Sequence, residues 1–244
     1  MKAYNITYGV KYRSGAKTSG QTSVFYFKEV TAMQNYKKID YSRNKDVVLR
    51  YIPGHFITPH SHVNYYMDLS DMKARQREAR ATGEEIAEMY LASTVVDTIL
   101  CLENMEVVGA YLANKLTKAG VISKNAHKTI YVVGPEYDSS GQIIFRENVA
   151  HMVKDKNVLV LTASVSTGSS LSNALENIGY YGGHVIGVSA IFSAASKVMG
   201  IPILALYSTA DLPDYRSYAP DNCPMCKAGE KADAICNGFG YSSL

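Results

Sequence analysis

The sequence contains no tryptophan, and it has only seven prolines and four cysteines in 244 residues. Four cysteines in a chain of this length do not suggest the disulfide framework of a small secreted domain, so we expect the thiols to stay reduced. No uninterrupted apolar run approaches the roughly 18 residues that a membrane-spanning helix needs. The first residues, Met-Lys-Ala-Tyr-Asn-Ile, lack the apolar core of a signal peptide. These absences predict a cytoplasmic protein.

Acidic residues are scarce at the start of the chain. Residues 1–50 contain ten Lys and Arg against three Asp and Glu, so this segment carries +7 although the whole chain carries only +3. Six tyrosines are interleaved with these charges, a combination that could contact nucleic acid. No nucleic-acid recognition motif accompanies the charge, and a solvated face or a subunit contact is the more common role. We therefore do not expect a nucleic-acid partner.

The hydrophobic pattern predicts two structural regions. Residues 1–30 alternate with a period of two, which predicts a hairpin or small edge sheet within a basic, Tyr-rich segment, residues 1–46. Further along, apolar strand-like runs alternate with helical segments, which predicts an α/β domain with a parallel sheet and helices on both faces. The five predicted parallel strands lie near residues 95–102, 128–133, 157–161, 184–192 and 201–206.

Two local signals refine this prediction. An earlier strand at residues 47–51 precedes Pro53 and Gly54, a pair that predicts the end of the strand. Thr82 is followed three residues later by Glu85, which is the pattern of a capping box and predicts that a helix begins there.

The most informative stretch is residues 157–171, in which a buried strand runs into a turn of small residues and then a helix. Free backbone amides at the first turn of a helix attract anions, serine and threonine hydroxyls add donors, and Gly168 allows close backbone approach. An ordinary strand-to-helix turn capped by serines is the alternative interpretation. The candidate phosphate-binding residues are Ser164, Ser166, Thr167, Gly168, Ser169 and Ser170.

This stretch resembles the phosphoribosyl-diphosphate (PRPP) motif of type I phosphoribosyltransferases, and the resemblance, which covers roughly residues 47–229, is closest to the orotate phosphoribosyltransferases. The family motif has four apolar residues, two acidic residues, two further apolar residues and Thr-Thr-Gly-x-Ser/Thr. The resemblance implies a Rossmann-like fold and a 5′-phosphate site in the loop 166–170. In the family the two acidic residues hold the ribose hydroxyls; here Thr162 and Ala163 occupy their positions.

A second departure lies in the loop that would bind pyrophosphate. Small residues stand there in the family, whereas this chain has Glu103, Asn104 and Glu106 at the start of a predicted helix. The carboxylates suit the helix dipole, but each would repel a pyrophosphate about 4 Å away by roughly 4 kcal/mol at an effective dielectric constant of 20. A bridging Mg²⁺ ion, which the family uses with PRPP, would reverse this effect.

The resemblance also implies residues on the base side of the site. The segment from His60 and Ser61 to Tyr65 matches the loop that contacts the base, and His60 or His62 would replace the basic residue of that loop. The spacing of the two histidines also permits a metal site on one side of a strand. The mobile basic loop of the family is missing from residues 134–156, where Arg146 is the remaining candidate.

The C-terminal tail, residues 223–244, contains a second match. Cys223-Pro-Met-Cys226-Lys-Ala-Gly229 resembles the segment that ends one bacterial and archaeal branch of the orotate enzymes. The pair of thiols is compatible with a buried structural turn, with a redox pair, or with Zn²⁺ held by Cys223, Cys226, Cys236 and one histidine.

Two functional hypotheses follow for the α/β domain, residues 47–222. The first is an orotate-type transferase, expected as a homodimer that uses Mg²⁺ and PRPP to attach ribose 5-phosphate to a pyrimidine base. The second is a non-catalytic relative that binds PRPP, a nucleoside monophosphate or a protein partner as a regulator. The missing ribose-binding acids, the acidic pyrophosphate loop and the missing basic loop favour the second hypothesis.

Overall fold

The apolar run that begins at Val158 forms part of a central strand of a parallel sheet in the computed structural model of the protein, which describes residues 36–139 and 141–244. The hairpin or edge sheet predicted for residues 1–30 lies outside the described residues. Within them, the helices are α1 (Ser70–Ala74), α2 (Gln76–Glu88), α3 (Glu106–Lys118), α4 (Glu147–Ala150), α5 (Ser169–Tyr180) and α6 (Pro224–Lys227). The strands are β1 (Lys37–Tyr41), β2 (Asn44–Ile57), β3 (His62–Asp68), β4 (Thr98–Cys101), β5 (Tyr131–Val133), β6 (Glu136–Tyr137), β7 (Ile143–Ile144), β8 (Asn157–Val165), β9 (His184–Ser193), β10 (Lys197–Val198), β11 (Ile201–Ser208), β12 (Ser217–Tyr218), β13 (Ala234–Asn237) and β14 (Gly240–Ser243).

The parallel sheet has the strand order β10-β11-β9-β8-β4-β5. All five predicted parallel strands are present, and β10 adds a short antiparallel edge strand beside β11. In the centre, Leu100 of β4 pairs with Val160 of β8, which in turn pairs with Val188 of β9. Because β4 and β8 are adjacent and parallel, the loops that follow them lie side by side at the same edge of the sheet.

Both faces of the sheet are buried, which explains the continuous apolar runs. Along β8, Leu159 and Leu161 belong to one hydrophobic cluster, whereas Val158 and Val160 belong to another, as alternate residues of a strand must. The first cluster includes buried residues of α2 and α3, and the second includes those of α5. The prediction of helices on both faces is therefore confirmed.

A second sheet joins the beginning and the end of the described chain. Its order is β12-β3-β2-β13-β14, with β1 also paired to β2. The tail strand β13 lies parallel to β2, where Ala234 pairs with Phe56. This sheet thus takes strands from both sides of the boundaries predicted at residues 46 and 222. A separate hairpin, β6–β7, follows the edge strand β5.

Two local predictions are wrong. Strand β2 does not end at Pro53 and Gly54 but continues to Ile57, because a bulge between Pro53 and Phe56 absorbs the irregular pair without ending the antiparallel pairing with β3. Thr82 does not begin a helix either. It lies fully buried inside α2, which begins six residues earlier, because the packing of this segment against the core extends the helix beyond the local signal.

Among the described residues, none of the helices is long and apolar enough to cross a membrane.

We predict opposite effects of alanine at two helical glycines. In α2, a Cβ atom at Gly83 would lie 2.6 Å from the carbonyl oxygen of Val108 and 2.9 Å from the amide nitrogen of Leu112. Gly83→Ala should therefore force α2 and α3 apart and lower the free energy of unfolding by about 1–3 kcal/mol. Gly179 in α5 has no atom within 4 Å of the added Cβ, so Gly179→Ala should raise it by about 0.5–1 kcal/mol.

Urea unfolding followed by circular dichroism measures both changes. A Gly83→Ala protein as stable as the parent would show that the two helices can separate at little cost.

Candidate functional site

A cleft of about 510 Å³ lies at the carboxyl ends of β4 and β8. Its lining comes from both sheets, the β6–β7 hairpin and the tail. The phosphate-loop candidates, the loop after β4 and residues 236–239 all contribute to its wall. In doubly wound sheets ligands bind outside the carboxyl ends of the strands, so the cleft occupies the expected position for a ligand site.

The loop after β8 has the features of an anion site. Gly168 adopts a left-handed conformation, with φ of +85°, and is the N-cap residue of α5. The first backbone bond of the helix runs from the Ser172 amide to the Gly168 carbonyl, so the amides of residues 169–171 precede it and lack intrahelical acceptors. Residues 164–170 all line the cleft. The candidate phosphate loop is therefore open to the cleft, at the end of a helix that favours negative charge.

A carboxylate lies beside this loop. Glu103 and Asn104 both have positive φ, 55° and 62°, and this tight turn directs the Glu103 side chain towards the end of β8. One carboxylate oxygen, Oε2, accepts hydrogen bonds from the Thr162 hydroxyl at 3.0 Å and from the amides of Ala163 at 3.0 Å and Ser164 at 3.2 Å. Glu103 therefore places a negative charge at the two positions that lack the expected acids.

Lys73 stabilises the turn that carries Glu103. Its ammonium group donates to the Glu103 carbonyl at 3.1 Å and to the Gly238 carbonyl at 2.9 Å, and its side chain lines the cleft. Burial lowers the pKa of Lys73, while Glu103, Asp68 and Glu106 act in the opposite direction. Sequence reasoning missed this residue, since its neighbours form a charged stretch typical of a surface and no local pattern identifies a lysine that bridges two loops.

Aromatic side chains form much of the remaining wall. Tyr65 was expected on the base side and does line the cleft, together with Tyr66, Tyr137, Phe192, Tyr215 and Phe239. Burial raises the pKa of Tyr137, and the carboxylates of Glu103 and Glu106 raise it further. A flat, apolar wall near a phosphate loop suits a planar ring, because aromatic side chains offer large contact surfaces.

The other predicted site residues divide into two groups. His60 lines the cleft. Ser61 does not; it is buried, and its hydroxyl and carbonyl bond with Thr58 in a tight turn. Asn104, Glu106 and Arg146 are not among the residues that line the cleft. Arg146 instead forms an exposed ion pair with Glu136, and this pairing lowers the pKa of Glu136.

A separate cluster joins two histidines to two of the predicted zinc ligands. His55 of β2, His62 of β3, Cys223 and Cys226 bring one side-chain ligand atom each to within 4.8 Å of one another. Cys236 is not one of the four, contrary to the zinc ligand set predicted from the sequence. Its position on β13 places it in the wall of the cleft, where burial raises the pKa of its thiol to about 12.

Comparison with curated proteins places these observations in a family context. The chain is 23% identical over 181 residues to the orotate phosphoribosyltransferase of Desulforamulus reducens, a match that covers 73% of this chain and 85% of that protein. It is 26% identical over 183 residues to the orotate phosphoribosyltransferase of Thermotoga maritima, which covers 74% of this chain and 88% of that protein. The predicted resemblance is confirmed. No protein-family model matches the chain.

A solved structure has also been matched to the chain. A phosphoribosyltransferase from Corynebacterium diphtheriae aligns with 21% identity and a TM-score of 0.47, over 67% of this chain and 90% of that one.

Proposed function

We propose that this chain, an orotate phosphoribosyltransferase-like protein, binds a ligand that carries ribose 5-phosphate in the cleft and transfers the ribosyl group poorly or not at all. The 5′-phosphate would sit on the loop 166–170, against the amides at the start of α5 that lack intrahelical acceptors. The base would lie against the aromatic wall that includes Tyr65 and Tyr137. A nucleoside monophosphate has both parts and is the simplest ligand of this kind.

The contact made by Glu103 is the observation that carries this proposal. Its carboxylate occupies the amides of Ala163 and Ser164 and the hydroxyl of Thr162, so these donors are already satisfied. A diphosphate brought near this carboxylate meets repulsion in place of the donors that a transferase needs for the departing pyrophosphate. A monophosphate beside Gly168 would use the amides at the start of α5, which Glu103 does not occupy.

The same carboxylate supports a second candidate function. Glu103 supplies an acid next to the two positions where the family has acids, and its second carboxylate oxygen could help hold Mg²⁺ together with the phosphates of PRPP. Mg²⁺ would neutralise charge on the pyrophosphate, while Glu103 would orient the ribose and Lys73 would hold the loop in place. In this case the protein is a transferase in which the acid that orients the ribose comes from the loop after β4, and not from the end of β8. A cytoplasmic homodimer remains the prediction for either function.

Calorimetric titration separates the two functions. We expect orotidine monophosphate to bind without Mg²⁺, and PRPP to bind more weakly than the monophosphate whether or not Mg²⁺ is present. An assay of pyrophosphate release from PRPP and orotate, run beside the Thermotoga maritima enzyme, should show little turnover. Mg²⁺-dependent binding of PRPP with turnover would favour the transferase, and absence of binding by every ligand would refute both.

The variant Glu103→Gln also distinguishes the two candidate functions. It removes the charge of the side chain while keeping its size, so the fold should change little. If Glu103 repels the diphosphate, this variant should bind PRPP more tightly, by about 10-fold for each 1.4 kcal/mol of relieved repulsion. If Glu103 is the replacement acid, the variant should lose both Mg²⁺ dependence and turnover. Glu106→Gln is the matched control, since it makes the same change at a nearby carboxylate that does not line the cleft.

A further inference from the structure

We propose that His55, His62, Cys223 and Cys226 bind one structural Zn²⁺ ion that fastens the C-terminal tail to the second sheet. The four residues come from three separate segments: β2, β3, and the short helix α6 with its N-cap residue Cys223. Within the described part of the chain, these are the residues whose ligand atoms come together as a metal site would require. The proposal does not depend on the function of the cleft.

Four of the six distances between ligand atoms lie within about 0.4 Å of the edges of a zinc tetrahedron. With bonds of about 2.0–2.1 Å to nitrogen and about 2.3 Å to sulfur, a tetrahedral site has edges of roughly 3.3 Å between nitrogens and roughly 3.6 Å between nitrogen and sulfur. The His55 Nε2 atom lies 3.1 Å from His62 Nδ1 and 3.6 Å from each of the two sulfur atoms. The Cys226 sulfur lies 3.2 Å from His62 Nδ1.

The surroundings also favour a metal. His55 Nδ1 lies 3.2 Å from the Glu230 carbonyl, so it can donate its proton there and leave Nε2 free as a ligand. His55, His62 and Cys223 are buried, and only Cys226 is exposed. Two thiolates and two neutral imidazoles together carry two negative charges, which neutralise Zn²⁺ fully. Four protein ligands leave no open position, which is typical of a structural site.

The site would hold the tail against the cleft. Strand β13 follows the cysteine turn and pairs with β2 immediately after His55, at Phe56 and Ile57. Beyond β13, Gly238 packs against the Glu103 side chain and accepts the hydrogen bond from Lys73. The cluster therefore fixes the chain segment that supports Glu103 and supplies residues 236–239 of the cleft wall. Loss of the metal should loosen this wall as well as the tail.

Metal content and thermal stability test the proposal. The purified protein should contain about one zinc ion per chain by mass spectrometry, and Cys226→Ser should remove it and lower Tm by roughly 5–15 °C. Cys236→Ser is the matched control, because it makes the same substitution at another cysteine of the same tail. The zinc should remain in this variant. Equal loss of zinc in the two variants would instead support the ligand set that includes Cys236, and overturn this one.

A measurement on the wild-type protein covers the case in which Cys226→Ser does not fold. After removal of metal with a chelator, addition of Co²⁺ should produce the visible absorption of a tetrahedral ion and a thiolate charge-transfer band, both abolished by Zn²⁺. Failure to bind either metal would overturn the proposal, as would a disulfide between Cys223 and Cys226 in the purified protein. Because no phosphate ligand is used, these outcomes are independent of the function proposed for the cleft.

Discussion

Replacing Ser169 with aspartate is expected to lower the affinity for orotidine monophosphate by at least about 100-fold. Ser169 is the first residue of α5, and it lines the cleft beside Gly168. A carboxylate there would lie within a few ångströms of the bound phosphate, and a pair of like unit charges 4 Å apart repels by about 4 kcal/mol at an effective dielectric constant of 20. About two thirds of that repulsion already corresponds to a loss of roughly 100-fold.

The stability of this variant distinguishes repulsion from misfolding. Aspartate in the first turn of a helix interacts favourably with the helix dipole, by about 0.3–1 kcal/mol, so Ser169→Asp should be at least as stable as the parent in urea. Asn177→Asp is the matched control: it adds the same charge to the same helix, at a residue that is not part of the cleft wall. Its affinity should stay unchanged. An unaltered affinity of Ser169→Asp would mean that the phosphate does not bind at this loop.

Restoring an acid at Thr162 is expected to destabilise the protein as long as Glu103 is present. Thr162 is only 3% exposed, and its hydroxyl donates to the Glu103 carboxylate at 3.0 Å. Thr162→Asp would replace this hydrogen bond with two carboxylates at close range in a buried place. The lost bond is worth about 1 kcal/mol and the repulsion up to about 4 kcal/mol, so the free energy of unfolding should fall by about 3–5 kcal/mol.

Glu103→Gln should rescue this defect. In the double variant, the amide group introduced at position 103 can donate to the carboxylate introduced at position 162. The double variant should therefore lose less free energy of unfolding than the sum of the losses in the two single variants. A double-mutant cycle from urea unfolding measures this coupling, which we expect to exceed about 2 kcal/mol in magnitude, within the upper part of the range for residues in contact. Thr162→Ser retains the hydroxyl and serves as the conservative control.

The pH dependence of Thr162→Asp gives an independent check. Mutual repulsion raises the folded-state pKa of the carboxyl pair above the unfolded value of about 4. A group with a raised folded-state pKa stabilises the fold at low pH and loses that contribution as the pH rises through the folded-state pKa. The deficit of the variant should therefore be largest at neutral pH and shrink in acid. A deficit that is constant with pH would point to a packing defect instead of charge repulsion.

The contact between Glu103 and the end of β8 links two departures from the family pattern. A transferase with acids at positions 162 and 163 could not also accommodate the Glu103 carboxylate on the same amides. The Glu103 carboxylate therefore occupies backbone and hydroxyl donors at the positions where the family pattern has its acids. The double variant Glu103→Gln with Thr162→Asp restores one of the two acids of the family pattern and removes the carboxylate that would repel it, and PRPP binding with Mg²⁺ is the measurement to make on it.

Much of the fold could be predicted from local sequence. The strands at residues 98–101, 157–165 and 184–193 each contain a run of apolar residues because the sheet is covered on both faces, and this pattern can be recognised without knowledge of the tertiary structure. The loop that we propose as the phosphate site could be located in the same way, since Gly168 and its serine neighbours follow directly after a strand and precede a helix. Local signals failed where packing overrode them, at Thr82 inside α2 and at the Pro53–Gly54 bulge.

The sequence by itself determined the order of the elements, the parallel sheet and the glycine loop that precedes α5, because each depends on residues close together in the chain. Only the tertiary structure decided what surrounds that loop. Glu103 meets Ala163 across 60 positions, and His55 meets Cys223 across 168. Such contacts depend on which strands are neighbours and on the direction that a turn takes. Neither property can be predicted from the residues of the turn alone.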